Sequence, residues 1–182
     1  MRTRILFLVT LAALLLASCS KDDETDEIWA ENNRAAFYKT ASSEGYKTIE
    51  SASKTGSIAY KVIKSGEGKT PLYTDQVKVL YTGWYKDVDW SKGDSFKNED
   101  GITIRNKIIF DSTANRNNVE SIFEVKGVVD GFSTALQHMK EGDKWEVWIP
   151  AELGYGTAKQ SNIPANTTLV FEIELVEVLY TK

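Results

Sequence analysis

Apolar and polar positions alternate along four stretches of this chain. Ile58, Tyr60 and Val62 alternate with Ala59, Lys61 and Ile63, and Val77, Val79 and Tyr81 share one face of a second run. Trp145, Val147 and Ile149 alternate with Lys144, Glu146 and Trp148. Leu169, Phe171, Ile173 and Leu175 stand opposite Val170, Glu172, Glu174 and Val176. A period of two sends successive side chains to opposite faces, so each stretch predicts a strand. One segment has a different period. Phe132, Leu136 and Met139 recur at i, i+4 and i+7, which predicts a short helix from about Gly131, stopped by Gly142. Several strands with one helix between them make an antiparallel α+β layout, with the helix against a concave, aromatic-lined sheet.

The flanks carry weaker patterns. Gly66 to Pro71 is a turn-rich break. Asp26 to Ala41, with Ile28, Trp29, Ala35, Ala36, Phe37 and Tyr38, reads as an imperfect amphipathic helix capped by Thr25 or Asp26. Such a helix could pack on the domain, hold it off a membrane, or dimerise. Residues 42–56 are rich in Ser, Lys and Thr and read as linker. At the front, Arg2 and Arg4 precede an apolar run from Ile5 to Ala17. That run is too short to span a bilayer and has the shape of a secretory signal. The expected division is residues 1–18 as signal, 19–55 as tether and helical segment, and 56–182 as the folded domain.

Composition narrows the chemistry. The 182 residues allow one ordinary domain with an appendage. A net charge of −4 with scattered basic residues gives no nucleic-acid footprint. The single cysteine excludes an intrachain disulfide, and no Cys/His spacing suggests zinc. Asp87-x-Asp89-x-Ser91 invites a calcium reading, but the glycine is out of register and no glutamate closes the loop. No metal or cofactor is expected. The single histidine, His138, falls off the Phe132/Leu136/Met139 face and reads as an exposed residue, so nucleophilic-triad chemistry lacks its parts. Asn166-Thr167-Thr168 is a formal glycosylation sequon and carries little weight here.

Six short words occur in a recognisable order: Val79-Leu80-Tyr81-Thr82-Gly83, Ile109-Phe110-Asp111-Ser112-Thr113, Val128-Val129-Asp130-Gly131-Phe132, Leu153-Gly154-Tyr155-Gly156, Ile163-Pro164 and Leu169-Val170-Phe171. From Gly56 to Tyr180 the chain resembles the FKBP family of peptidyl-prolyl cis-trans isomerases. The resemblance implies a strongly curved antiparallel sheet wrapped on one short helix, to which the helix read at residues 26–41 adds an N-terminal helical appendage. It implies Tyr81, Phe110, Asp111, Tyr155 and Phe171 as catalytic residues, and Phe123, Val128, Val129, Phe132 and Ile163 as substrate-binding residues. By the same resemblance Tyr81 hydrogen-bonds Asp111, and Arg116, five residues further on, is a candidate partner of that carboxylate. Three departures stand out. Phe132 occupies a position where the family usually has tryptophan, one residue is missing between Tyr155 and Pro164, and residues 84–109 form an insertion. The insertion reads as a lengthened strand pair or a flap beside the pocket. Separately, Leu16-Ala17-Ser18-Cys19 resembles the bacterial lipoprotein cleavage box, which makes Cys19 the expected lipidation site.

The expected function is therefore rotation of Xaa-Pro bonds in envelope or secreted polypeptides by a lipid-anchored enzyme, with Ser20 after the cysteine favouring the outer membrane. Proline-containing polypeptides and the membrane are the expected partners. Two other classes remain open: a chaperone module that binds proline segments without catalysis, and an architectural lipoprotein using the fold only as scaffold.

Overall fold

A computed structural model describes residues 21–180. The expected signal sequence of residues 1–18 and the expected lipidation site Cys19 lie outside the described residues. The first element is helix α1 (Lys21–Ala41). It starts ahead of the expected Thr25 or Asp26 cap. No glycine or proline interrupts it before Ala41. Trp29, Asn33 and Phe37 recur every four residues and turn one stripe toward the rest of the protein. Asn33 and Phe37 are buried there.

The main sheet is antiparallel throughout. Its strands are β1 (Lys47–Glu50), β2 (Ser57–Lys64), β3 (Gln76–Lys86), β6 (Lys107–Ser112), β7 (Ser121–Glu124), β8 (Lys144–Ile149) and β9 (Leu169–Leu179). Spatial order runs β1-β2-β8-β9-β3-β6, with β7 also paired to β3. Strand β3 is the hub, joined along one side to β9 and along the other to β7 and then β6. All four predicted strands are present. The stretch read as linker is not featureless: β1 lies inside it and pairs Ile49 with Ile58, so the sheet begins at Lys47, ahead of Gly56. Four residues with one inward apolar side chain are too short for periodicity to distinguish from a polar loop.

Helix α2 (Asp130–Leu136) crosses the concave face. It ends before the predicted Met139, which stays fully buried because its N–H folds back onto Ala135 O at 3.0 Å. Gly142 is therefore not the helix stop. With φ +89° it sits in the tight turn that feeds β8, and its N–H bonds Leu175 O at 2.8 Å. His138 is exposed as expected, although in the turn after α2 and not on the helix itself. The core lies between α2 and the sheet, where Leu136 and Met139 meet Val77, Val79, Val147, Ile149, Ile173 and Leu175.

The insertion is a separate two-stranded hairpin, β4 (Ser95–Lys97) with β5 (Thr103–Arg105), beyond the far ends of β3 and β6. Fully buried Asn106 ties it down. Its side-chain carbonyl accepts from the Val88 and Asp89 N–H groups at 3.0 and 3.1 Å. Its amide donates to the carbonyls of Asp89 and Gly93 at 2.7 and 2.9 Å. The Asp89 carboxylate accepts from Ser91 N–H and Oγ, both at 2.7 Å, which is a local turn.

Helix α2 lies so close to β8 that a Cβ on Gly131 would stand 2.4 Å from Cγ2 of the buried, branched Ile149. Gly131→Ala should lower stability by about 1–3 kcal/mol through overpacking, against the gain of about 1 kcal/mol that alanine brings to a helix. A urea midpoint unchanged or raised in the variant would contradict this packing.

Candidate active site

Five aromatic rings converge where the concave face meets the start of α2. Tyr81 comes from β3, Phe110 from β6, Phe123 from β7, Phe132 from α2 and Phe171 from β9. The four strand residues project inward because alternation places them on the concave side, and Phe132 meets them from the helix that crosses it. Phe132 meets Phe171 at 5.1 Å, Phe123 at 6.1 Å and Tyr81 at 6.0 Å between centroids, all edge-on. Phe110 meets Phe171 edge-on at 5.4 Å. Edge-on contact sets the positive rim of one ring against the negative face of the next and leaves a hollow between them. The cavity is about 340 Å³ and is closed by Gly127, Val128, Val129, Asp111 and Tyr155.

Nine of the ten residues expected at the site therefore share one wall system. Ile163 does not line it: at 4% exposure it is a core residue of the segment after Tyr155. Tyr155 stands at the rim, 36% exposed, and its hydroxyl carries no hydrogen bond among the described residues. It follows a 3₁₀ turn, Ala151–Leu153, and precedes Gly156 at φ +59°. Val129 is the residue just before α2, with φ −57° and ψ 148°, so its N–H belongs to the chain entering the helix. No backbone partner for that N–H is found among the described residues.

The one charge in the wall is held in place. The Tyr81 hydroxyl donates a short hydrogen bond to Asp111 Oδ2, and Arg116 Nη1 donates to Oδ1 at 2.7 Å. Arg116 also reaches the Tyr81 hydroxyl at 3.3 Å and Ser121 Oγ at 3.2 Å. The 3₁₀ turn Thr113–Arg116 delivers the guanidinium, with Ser112 Oγ accepting Ala114 N–H as its cap. Burial pushes the Tyr81 hydroxyl above its ordinary pKa, and the bond to Asp111 pushes it further. Burial alone would raise the Asp111 carboxyl, but the Tyr81 hydroxyl and the Arg116 guanidinium outweigh it and hold the group below the usual carboxylate value. Tyr81 is thus a donor and Asp111 an acceptor across the neutral range.

Two residues matter more than their sequence positions suggested. Thr113 Oγ1 accepts the Tyr81 N–H at 3.0 Å and donates to the Tyr81 carbonyl at 3.1 Å, so the tyrosine backbone is pinned from both sides. Gly83 lies opposite Phe171 in the β3–β9 register, and a Cβ there would be 2.6 Å from both Phe110 and Phe171. Both belong to the quoted words Val79–Gly83 and Ile109–Thr113, which was the available signal. A roomier groove of about 590 Å³ runs between α1 and Trp90 with Trp148. It gathers none of the expected site residues.

A family model described as FKBP-type peptidyl-prolyl cis-trans isomerase matches residues 67–176. The FKBP-type 22 kDa peptidyl-prolyl cis-trans isomerase of Escherichia coli strain K12 is 37% identical over 158 residues, covering 82% of this chain and 67% of that protein. The outer membrane protein MIP of Legionella longbeachae is 34% identical over 122 residues, covering 66% of this chain and 44% of that protein. The crystal structure of FkpA from Escherichia coli superposes with a TM-score of 0.65 at 30% identity, covering 87% of this chain and 64% of that one. This chain is thus shorter than each of these relatives.

The Asp111 network carries a pH signature. A carboxyl whose folded pKa lies below its unfolded value of about 3.9 contributes stability that is complete above that value and lost as pH falls through the folded one. Asp111 is about two-fifths exposed, so solvent limits the contribution to at most about 1 kcal/mol. Asp111→Asn should therefore show its full deficit in urea midpoint near neutrality, and the deficit should shrink as pH falls below about 3.9 and through the lower folded value. A deficit that does not shrink on acidification would refute the assignment.

Proposed function

The chain belongs to the FKBP-type peptidyl-prolyl cis-trans isomerases, and from that premise we propose that it rotates Xaa-Pro bonds of envelope polypeptides in the Tyr81–Phe171 cavity. The observation that carries this reading is the ring of Tyr81, Phe110, Phe123, Phe132 and Phe171 around one apolar hollow with a single, pinned carboxylate.

The chemistry asks little of the protein. An Xaa-Pro bond isomerises in tens to hundreds of seconds because resonance is lost over a barrier of about 18–20 kcal/mol. The planar amide is strongly polar and the twisted one less so. Moving an uncompensated amide out of water costs roughly 2–7 kcal/mol. The planar ground state bears more of that cost than the twisted state, so an apolar cavity favours the latter. A turnover of about 1–10³ s⁻¹ requires roughly 3–7 kcal/mol of barrier reduction over the spontaneous rate. Desolvation with one or two hydrogen bonds is large enough.

In this reading Phe110, Phe123, Val128, Phe132 and Phe171 seat the proline ring. The Val129 N–H and the Tyr155 hydroxyl hold substrate carbonyls, since both are donors without partners among the described residues. Tyr81 and Asp111 flank the rotating bond. Ile163 acts at one remove, through the packing of the rim. Phe132, smaller than an indole and without a donor, leaves a deeper floor that accommodates bulkier groups beside the proline.

The N-terminal residues support an envelope location. Arg2, Arg4 and the run Ile5–Ala17 suit export, and Cys19 in Leu16-Ala17-Ser18-Cys19 is a lipidation site two residues ahead of α1. One relative carries the name outer membrane protein MIP. Two or more acyl chains hold a protein firmly, whereas a single chain anchors it only marginally. Cys19→Ser should move the protein from the membrane pellet to the soluble envelope fraction. Retention of the variant in the pellet would refute the anchor.

The decisive measurement is a protease-free isomerisation assay on an Xaa-Pro peptide. Phe171→Ala should lower kcat/KM by at least about tenfold while costing about 3–5 kcal/mol of stability through the cavity it leaves. Tyr155→Phe should lower kcat/KM several-fold without unfolding. The wild-type rate should stay flat between about pH 6 and 8 because no proton moves. Peptide binding without acceleration would transfer the site to the chaperone class, and a folded, fully active Phe171→Ala would refute the cavity.

A further inference from the structure

We infer that α1 is a working part of the isomerase: Trp29 on the helix and Tyr85 on β3 act as positioning residues that hold the rim segment 155–168 and the Phe110 wall of the cavity. The inference rests on the isomerase reading above.

The segment between Tyr155 and Phe171 begins and ends at the cavity, yet it has almost no regular pairing of its own. Its internal order is a bridge between Gln160 and Ile163, the return bond from Asn166 N–H to Gly156 O at 2.8 Å, and two short-range bonds, Ala158 N–H to Tyr155 O at 3.1 Å and Thr167 Oγ1–H to Pro164 O at 2.7 Å. Its position is set from outside. The Trp29 indole N–H donates to Ala165 O at 3.0 Å and lies 3.3 Å from Thr167 Oγ1. Asn33, one turn further and 1% exposed, accepts the Thr168 N–H on Oδ1 at 2.9 Å. Its backbone carbonyl accepts Thr168 Oγ1–H at 2.9 Å, and its amide donates to Trp29 O at 2.9 Å. Thr168 is the residue before β9, three positions from Phe171. The helix therefore grips the rim over its last four residues, just where it enters a wall of the cavity.

The second grip is Tyr85. Trp29 meets its ring edge-on at 6.2 Å, and the same ring stacks against Phe110 at 6.5 Å with 23° between planes. The Tyr85 hydroxyl donates to Asn162 O at 3.0 Å, next to Ile163-Pro164. One buried tyrosine thus contacts the helix, a cavity ring and the middle of the rim. A segment with few bonds of its own opens locally at low cost unless others restrain it. Catalysis by positioning tolerates little displacement of the groups that contact substrate. Tyr155 rides on this segment, so loosening the helix contacts displaces the carbonyl donor and relaxes Phe110 together.

A helix that merely shields apolar surface predicts something different, and conservative variants separate the two. Trp29→Phe keeps a ring against Tyr85 but removes the N–H donor. Tyr85→Phe keeps the stack on Phe110 but removes the bond to Asn162. Kinetics on a panel of Xaa-Pro peptides, thermal melts and amide hydrogen exchange would be measured on the full chain. Positioning predicts that each variant melts within a few degrees of wild type. It also predicts that kcat/KM falls by about tenfold, within the hundredfold that an ångström of misplacement can cost. The preference for the residue before proline should shift, and exchange over 157–168 should accelerate. The double variant should lose less than the product of the two single losses, because both act on one segment. If Trp29→Phe does not fold, Tyr85→Phe decides alone. Wild-type kinetics and peptide preference in the folded variants would overturn the inference and leave the isomerase reading standing. An inactive wild type would instead remove that reading, and the inference with it.

Discussion

The pairing of β3 with β9 that sets Gly83 opposite Phe171 is the constraint on which the remaining structure depends. Because position 83 has no side chain, the Phe110 and Phe171 rings close to a centroid distance of 5.4 Å above the sheet. Any Cβ at that point would occupy ring volume. The same strand carries Tyr81 two residues earlier and Tyr85 two residues later, all on the concave side. One strand therefore provides the polar edge of the cavity, the gap that lets its rings meet, and the link to the N-terminal helix. Its central place between β9 on one side and β7 with β6 on the other pairs it along both edges.

Within that frame the site separates two demands. Desolvating an amide needs an apolar hollow, while orienting it needs a few fixed donors. Aromatic edges meet the first demand without large strain. The second is met by groups whose own partners lie outside the cavity. Asp111 is held by Arg116, Arg116 by Ser121, and the Tyr81 backbone by Thr113. A lone carboxylate in such surroundings would tend to take up a proton. Here it stays ionised because a guanidinium and a hydroxyl face it.

The N-terminal helix and the hairpin insertion are built alike. In each, the side-chain amide of a buried asparagine bonds backbone through both its oxygen and its nitrogen: Asn33 between α1 and Thr168, Asn106 between the hairpin and the loop after β3. A buried amide with its partners in place is costly to displace, because each freed group would lose about 1–3 kcal/mol. Such residues fix register where hydrophobic contact alone would allow sliding.

Much of this was legible in the residues. Period-two alternation located β2, β3, β8 and β9, the Phe132–Leu136 spacing located α2, and the family resemblance named nine of the ten residues that line the cavity, eight of them inside the ordered motifs. These signals are local: they depend on which neighbours along the chain share a face, and burial of that face follows directly. What escaped was decided across the chain. Lys47–Glu50 becomes a strand only because β2 offers an open edge. Ile163 turns into the core instead of the cavity because the rim folds back through Asn166 and Gly156. The Trp29–Tyr85–Asn162 connection joins residues far apart in sequence. The chain by itself determined the class of fold and the chemistry available to it. Tertiary packing alone decided which side chains touch, since contact between distant residues depends on the register of strands and not on any spacing within them.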